Sequence, residues 1–310
     1  MDHSHGGDGM SPVHSTAYQQ LMAVAAGLKV PDAVRRVTSA PPQDPQPGQI
    51  WRAVWDDVIQ LLLITAVDGD VLRAVPASFE RYADTDTLLL PATASTLEES
   101  LALWWGLEAV FPWCVLDRQV SELTDRPTSM AGGSLADTVV GARWGKGAAV
   151  SAAGTEYRGV LADRVAVLAS ARWEPLGTGG LPQLFKDSGL TPGILAAELQ
   201  LLPPQALAVW RGMQPLTTDQ AAVLAERLGR SADELIAANP AVPQDVVREL
   251  NRPLRRAQVK ALAARHGEAE LDARLRAAYG IFALAARQSG PARPDWTART
   301  DRYFELCLGE

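Results

Sequence analysis

The chain holds two cysteines in 310 residues, Cys114 and Cys307. A disulfide framework is excluded, and both sit among apolar residues, so two buried thiols in a reducing, cytoplasmic setting are expected. No apolar run reaches the roughly 18 residues that a membrane-spanning helix needs, so no membrane partner is expected. The opening MDHSHGGDGMSPVHS lacks a basic stretch followed by an apolar one, which argues against a secretion leader. Aromatic residues are scarce at 6%, although nine of them are Trp. CxxC, HExxH and GxSxG patterns are all missing. His3, His5 and His14 lie in a Gly- and Ser-rich tail with no rigid shell to hold a metal, so neither metal nor cofactor is expected.

What is present is an apolar fraction of 47%, enough for substantial cores, in a length that suits two ordinary domains. The net charge of −7 does not favour nucleic acid as a partner. Its distribution is uneven. Residues 41–126 set five basic side chains (Arg52, Arg73, Arg81, Arg118, Arg126) against a large excess of Asp and Glu. Residues 127–310 carry 21 basic and 19 acidic side chains. Phosphate affinity, if any, belongs to the second half.

Along the chain, residues 1–15 read as a disordered tail and 16–40 as a helix with Leu21, Val24, Ala25 and Leu28 on one face. The proline-rich 41–48 is a linker. Short apolar runs at 50–55, 58–67, 71–78 and 87–92 read as strands, separated by Asp56-Asp57, Asp68-Gly69-Asp70 and Asp84-Thr85-Asp86. Asp-Gly between β-prone runs is a strong hairpin signal. Residues 101–111 are ambiguous between strand and helix, and a last strand is expected near Cys114–Leu116. Residues 124–153 read as a loose connection. Within it GARWGKG (141–147) misses the phosphate-loop pattern, with three residues instead of four before Gly-Lys and no Ser or Thr after. Residues 155–170 form an amphipathic helix with Val160, Leu161, Val165 and Leu168 apolar. Helix signals dominate from 181, with caps at Thr217 and at Ser231 (paired with Glu234) and a stop at Gly229. A final helix over 294–308 bears Trp296, Tyr303 and Phe304.

Residues 181–238 read as five short helices with tight turns. Thr191 caps the second, Leu195-Ala196 packs it on the third, Arg211-Gly212 closes the third, and Pro215-Leu216-Thr217 opens the fourth. This order resembles the Cro/repressor-like (XRE) helix-turn-helix family, over about a fifth of the chain. In that family the third helix enters the major groove, where base reading needs polar side chains. Here the corresponding positions are Pro203, Pro204, Gln205, Leu207 and Ala208, of which Gln205 alone can read a base. Gln200 stands where a turn glycine is usual, and Trp210 where glutamate is usual. The resemblance is thus to a degenerate member, whose apolar face (Pro204, Leu207, Trp210) suits protein contact. A basic run follows: Arg248, Arg252, Arg255, Arg256, Lys260 and Arg265 against Glu249 alone. It is either a solvated helix face or a phosphate grip with no sequence code.

The stretch Pro47-Gly48-Gln49-Ile50-Trp51, opening a strand and followed by hairpins, resembles the MazF/PemK toxin family over residues 47–120. That resemblance implies a small SH3-like barrel and, in active members, metal-independent RNA cleavage by an Arg and a Thr or Ser. The Arg is missing from Val58-Ile59-Gln60-Leu61; only Arg73 and Ser78 could stand in.

The resulting expectation is an α+β multidomain protein: a small SH3-like β barrel (49–123), a linker and helix (124–180), a helix-turn-helix domain (181–240) and C-terminal helices (241–310). The function expected is a non-catalytic regulator of toxin–antitoxin descent, touching DNA through Gln205, Arg211, Arg252, Arg255, Arg256 and Lys260. The alternatives are an interaction module binding a protein partner or a second copy, and a ribonuclease using Arg73 and Ser78.

Overall fold

Two adjacent aspartates make the first hairpin. Asp56 and Asp57 hold φ of +44° and +62°, the left-handed pair that a two-residue hairpin turn requires. They fold β1 (Gln49–Trp55) back onto β2 (Val58–Asp68) with Trp55 opposite Val58. Gly69, at φ +61°, then turns β2 into β3 (Val71–Ser78). The computed structural model describes residues 32, 43–79, 82–127, 129–145, 151–175, 177–286 and 295–309. The tail and helix expected over 1–40 lie outside these residues, Asp32 apart, as do Lys146 and Gly147 of the glycine-rich stretch.

The remaining strands are β4 (Thr87–Leu90), β5 (Leu101–Trp104), β6 (Ala109–Pro112), β7 (Leu116–Glu122) and β8 (Arg143–Trp144). They form one antiparallel sheet in the order β7-β1-β2-β3-β5-β4-β8, with β6 also paired to β3. The sheet is open, and its two sides approach at a bridge between Ser95 and Leu123. The ambiguous 101–111 stretch is two short strands around a tight turn at Trp105–Leu107. The last long strand starts at Leu116, because Trp113–Val115 coils into a 3-10 turn. The connection expected to be loose holds α1 (Gly132–Thr138) as well as β8.

Both faces of the sheet are buried, and this explains the near-continuous apolar strands. Ile50, Leu63, Val75 and Ala77 point into one cluster, closed by Leu135 in the middle of α1 and Val139 just past its end. Their neighbours Trp51, Leu62, Ile64, Leu72 and Ala74 point the other way. On that second side lies α2 (Ala152–Ser170), which buries Leu161, Val165 and Leu168 and leaves Val160 exposed.

The chain is a mixed α+β protein, with ten helices from α2 onward among the described residues. Five of them, α3 (Leu181–Asp187), α4 (Pro192–Glu198), α5 (Pro203–Trp210), α6 (Thr218–Leu228) and α7 (Ala232–Ala237), enclose a core of their own around Phe185, Leu195, Val209 and Leu224. Local chemistry sets their ends. Thr191 and Thr217 accept N–H bonds at their helix starts, Ser231 and Glu234 make the reciprocal capping box, and Gly229 stops α6 at φ +61°.

The last four helices are α8 (Gln244–Leu250), α9 (Pro253–His266), α10 (Glu270–Ala286) and α11 (Trp296–Leu308). They do not form a separate end piece. One apolar cluster runs from Trp51, Ile64 and Phe111 of the sheet through Leu168 to Val246, Leu262, Tyr279 and Phe304. The five-helix unit is therefore inserted between α2 and α8. Its neck is stitched by Thr178 N to Ala237 O, Gly179 N to Asn239 O and Leu181 N to Ala238 O.

Gln200, between α4 and α5, holds φ +51°, a conformation that costs a residue with a Cβ about 1 kcal/mol or more. Gln200→Gly is expected to stabilise the five-helix unit by about 0.5–1 kcal/mol. Urea melts of the variant and the parent check this, and an unchanged or lower midpoint contradicts it.

Candidate functional site

Five of the six basic side chains in the run of α8 and α9, Arg248, Arg252, Arg255, Arg256 and Lys260, pair with carboxylates, and the sixth, Arg265, donates to Cys307 O. Arg255 is 1% exposed; its Nε and Nη2 donate to Glu249 at 2.9 and 2.6 Å, and its Nη1 to Asp301 at 2.5 Å and Gln258 at 3.1 Å. Arg256 is 5% exposed. Its Nη1 donates to the carbonyls of Val54, Val115 and Cys114 at 3.0, 3.0 and 3.3 Å, and its Nη2 to Glu270 at 3.1 Å. Arg252 grips Asp44 with Nε and Nη2 and reaches Glu249 with Nη1. Lys260 pairs with buried Asp117, which Arg52 also reaches at 2.9 Å. Arg274 of α10, 1% exposed, donates to Asn251 and Glu270 and stacks over Trp173 at 5.3 Å.

These groups are committed inside the protein. Stripping a carboxylate from a buried guanidinium costs about 3–5 kcal/mol. A new charge-assisted bond to a phosphate returns about 1.5–3 kcal/mol. Arg255 and Arg256 thus stay with their internal partners, and the expectation that they touch DNA does not fit their positions. Arg252 is held by two carboxylates. Lys260 keeps 43% of its side chain in water but sits on Asp117.

On α5 the geometry is different. Pro203, Pro204 and Gln205 are exposed, Leu207 is half-buried, and Leu202 just before the helix is 66% exposed. Gln205 gives its Oε1 to the N–H of Leu202 at 3.1 Å, so the one side chain expected to read a base is capping its own helix. Trp210, expected at a partner surface, turns inward: its Nε1 donates to Leu190 O at 2.8 Å and Lys186 lies over its ring. Arg211 is exposed, with no bond to another side chain among the described residues. Residues 181–240 carry Lys186, Arg211, Arg227 and Arg230 against six acidic side chains, a net −2. Arg227 is itself paired with Glu198.

The pair named for RNA cleavage is not brought together. Arg73 and Ser78 lie five residues apart on β3, so their side chains leave opposite faces, about 16 Å apart along the strand. Arg73 is exposed, whereas Ser78 is 6% exposed and its Oγ accepts the Trp104 indole N–H at 3.0 Å. Among the described residues no group of three or more His, Cys, Asp or Glu is placed to hold a metal.

One feature has no local sequence signal. A cleft of about 510 Å³ opens between α5 and the loop after it on one side and α10 and α11 on the other. Its walls lie many residues apart, so only tertiary packing assembles it. No protein-family model, curated protein or solved structure matches this chain.

Asp117 shows how the ionic cluster is balanced. Burial pushes its carboxyl up, but the Lys260 hydrogen bond and the charges of Lys260, Arg256 and Arg52 outweigh burial and hold it below the usual carboxylate range. At Asp84 burial is likewise outweighed, by bonds from Thr87 and Arg158. A carboxylate depressed on folding adds stability that is full above its unfolded value near 3.9 and is lost as pH falls through the lower folded value. Stability is therefore expected to fall once pH drops below about 4. Asp117→Asn should cost about 1–3 kcal/mol at pH 7 and flatten that acid slope. Urea melts between pH 3 and 7 check it, and a slope identical in the variant would contradict it.

Proposed function

We propose that this chain is a non-catalytic regulatory protein that works through protein contacts. Its five-helix unit is a degenerate helix-turn-helix of Cro/repressor-like design, with the reading helix given over to docking. The curled sheet, in the same proposal, derives from an SH3-like barrel of toxin–antitoxin type that serves as a support. The helix order, the Thr191 cap and the left-handed Gln200 at a position where glycine is usual support the first assignment.

The observation that carries the reading is the surface around the start of α5. It is open and made of Leu202, Pro203, Pro204 and a glutamine whose oxygen is engaged at home. A DNA groove offers donors and acceptors, and this surface has almost nothing to answer them with. A protein with an apolar patch fits it better. The net −2 of the unit and the committed arginines of α9 remove the electrostatic attraction that non-specific DNA binding relies on.

The rival reading, DNA binding, draws on one observation, the exposed Arg211 at the end of α5. Two measurements separate the readings. Fluorescence anisotropy on random duplex DNA at about 50 mM salt should show no shift, and Arg256→Ala should change stability while leaving that null result unchanged. A photocrosslinking side chain at position 202 should give a discrete adduct with a protein in the native cell, and one at exposed position 160 should not. A salt-dependent DNA shift that Arg211→Ala weakens, or no adduct from position 202, would overturn the proposal.

A further inference from the structure

The cleft between the five-helix unit and the C-terminal helices has the size and the setting of a small-molecule site. Its volume, about 510 Å³, falls within the range of small-ligand pockets, and it lies where two separately cored parts of the protein meet. Leu201, Val209 and Met213 form one wall. Leu275, Ala283 and the Tyr303 ring contribute to the other. Met213 is 41% exposed, so an apolar body seated there would remove apolar surface from water.

The polar groups are asymmetric. Glu268 is neutralised by Arg276, whose Nε and Nη2 donate to its two oxygens at 2.9 and 2.8 Å. Asp272, one helical turn before Arg276, is exposed and feels the Arg276 charge without a hydrogen bond or ion pair to it, since Arg276 is turned to Glu268. It leaves the cleft one carboxylate in excess. Gln205 and Gln220 give their side-chain oxygens to the N–H groups of Leu202 and Thr217, at 3.1 Å each. Their amides are therefore left chiefly with N–H to offer. The geometry points to an occupant with an apolar or aromatic body, a primary ammonium for Asp272 and a hydrogen-bond acceptor for the glutamine amides. An anionic molecule of the same size meets the wrong sign. The two walls belong to the inserted unit and to the body, which Tyr279 also joins by donating its hydroxyl to Pro240 O at 2.5 Å. Occupancy would add to that tie. The cleft shares Gln205 with the surface around the start of α5, but the groups that set its charge and its apolar wall, Asp272 and Met213, lie outside that surface.

Dansylcadaverine has the required parts: a naphthalene body, sulfonyl oxygens and a primary ammonium. Cys307 lines the cleft and is half-buried, whereas Cys114 is buried, so maleimide labelling of Cys307 reports occupancy in the full chain. We expect dansylcadaverine to bind one per chain and to slow Cys307 labelling. Asp272→Asn, an exposed position, should weaken it about threefold or more at low salt, and Ala283→Phe, which fills the cleft, should remove the protection. The anionic dye anilinonaphthalene sulfonate should protect far less. Equal protection by both dyes, no effect of Asp272→Asn, or no protection by dansylcadaverine would overturn the inference.

Discussion

A guanidinium taken out of water must be met by acceptors, and among the described residues three arginines are taken almost completely out. Arg255, Arg256 and Arg274 are 1%, 5% and 1% exposed. An unmatched charge there would cost several kcal/mol, a large part of the stability of an ordinary domain. The fold answers with Glu249, Glu270, Asp301 and three backbone carbonyls at the end of β1 and the turn before β7. Arg256 is the joint: it is rooted in α9 and holds the sheet by its main chain. An apolar side chain of the same size could fill the space, but it would not fix which carbonyls the helix faces.

That requirement orders the rest. Because α9 and α10 are bound to the sheet, the C-terminal helices complete the layer begun by α2 and bury the outer side of β1–β3. The five-helix unit between them keeps its own core and connects through a hydrogen-bonded neck and the Tyr279–Pro240 bond. Burial pushes the Tyr279 hydroxyl up to about 12, so that donor keeps its proton well into alkaline pH. A separate core on a narrow neck leaves α5 presented to solvent and also creates the cleft behind it.

The parts legible in the sequence were local. Asp-Asp and Asp-Gly turns, the Thr191, Thr217 and Ser231 caps and the Gly229 stop each act over two to four residues, and each is where the sequence places it. What escaped was the destination of charge. The basic run of α9 reads as a solvated or phosphate-binding face because its partners lie far along the chain: Asp301 is 46 residues from Arg255, Val115 is 141 from Arg256, and Asp44 is 208 from Arg252. Spacing within a helix cannot announce such pairs. The same limit hid the cleft and the two-residue β8. Gln205 failed for a subtler reason: an N3 glutamine is as good a cap as it is a base reader, and the cap is made within its own turn.

The arginine–carboxylate cluster thus ties the sheet and the C-terminal helices into one cooperative body, with residues 181–238 as an insert that opens alone. Native-state amide hydrogen exchange reads this directly. One shared, highest opening free energy is expected for β1, β7, α9 and α10, and a separate, lower one for α3–α7. Finding that α9 and α10 open together with α3–α7, while the sheet stays protected, would contradict it.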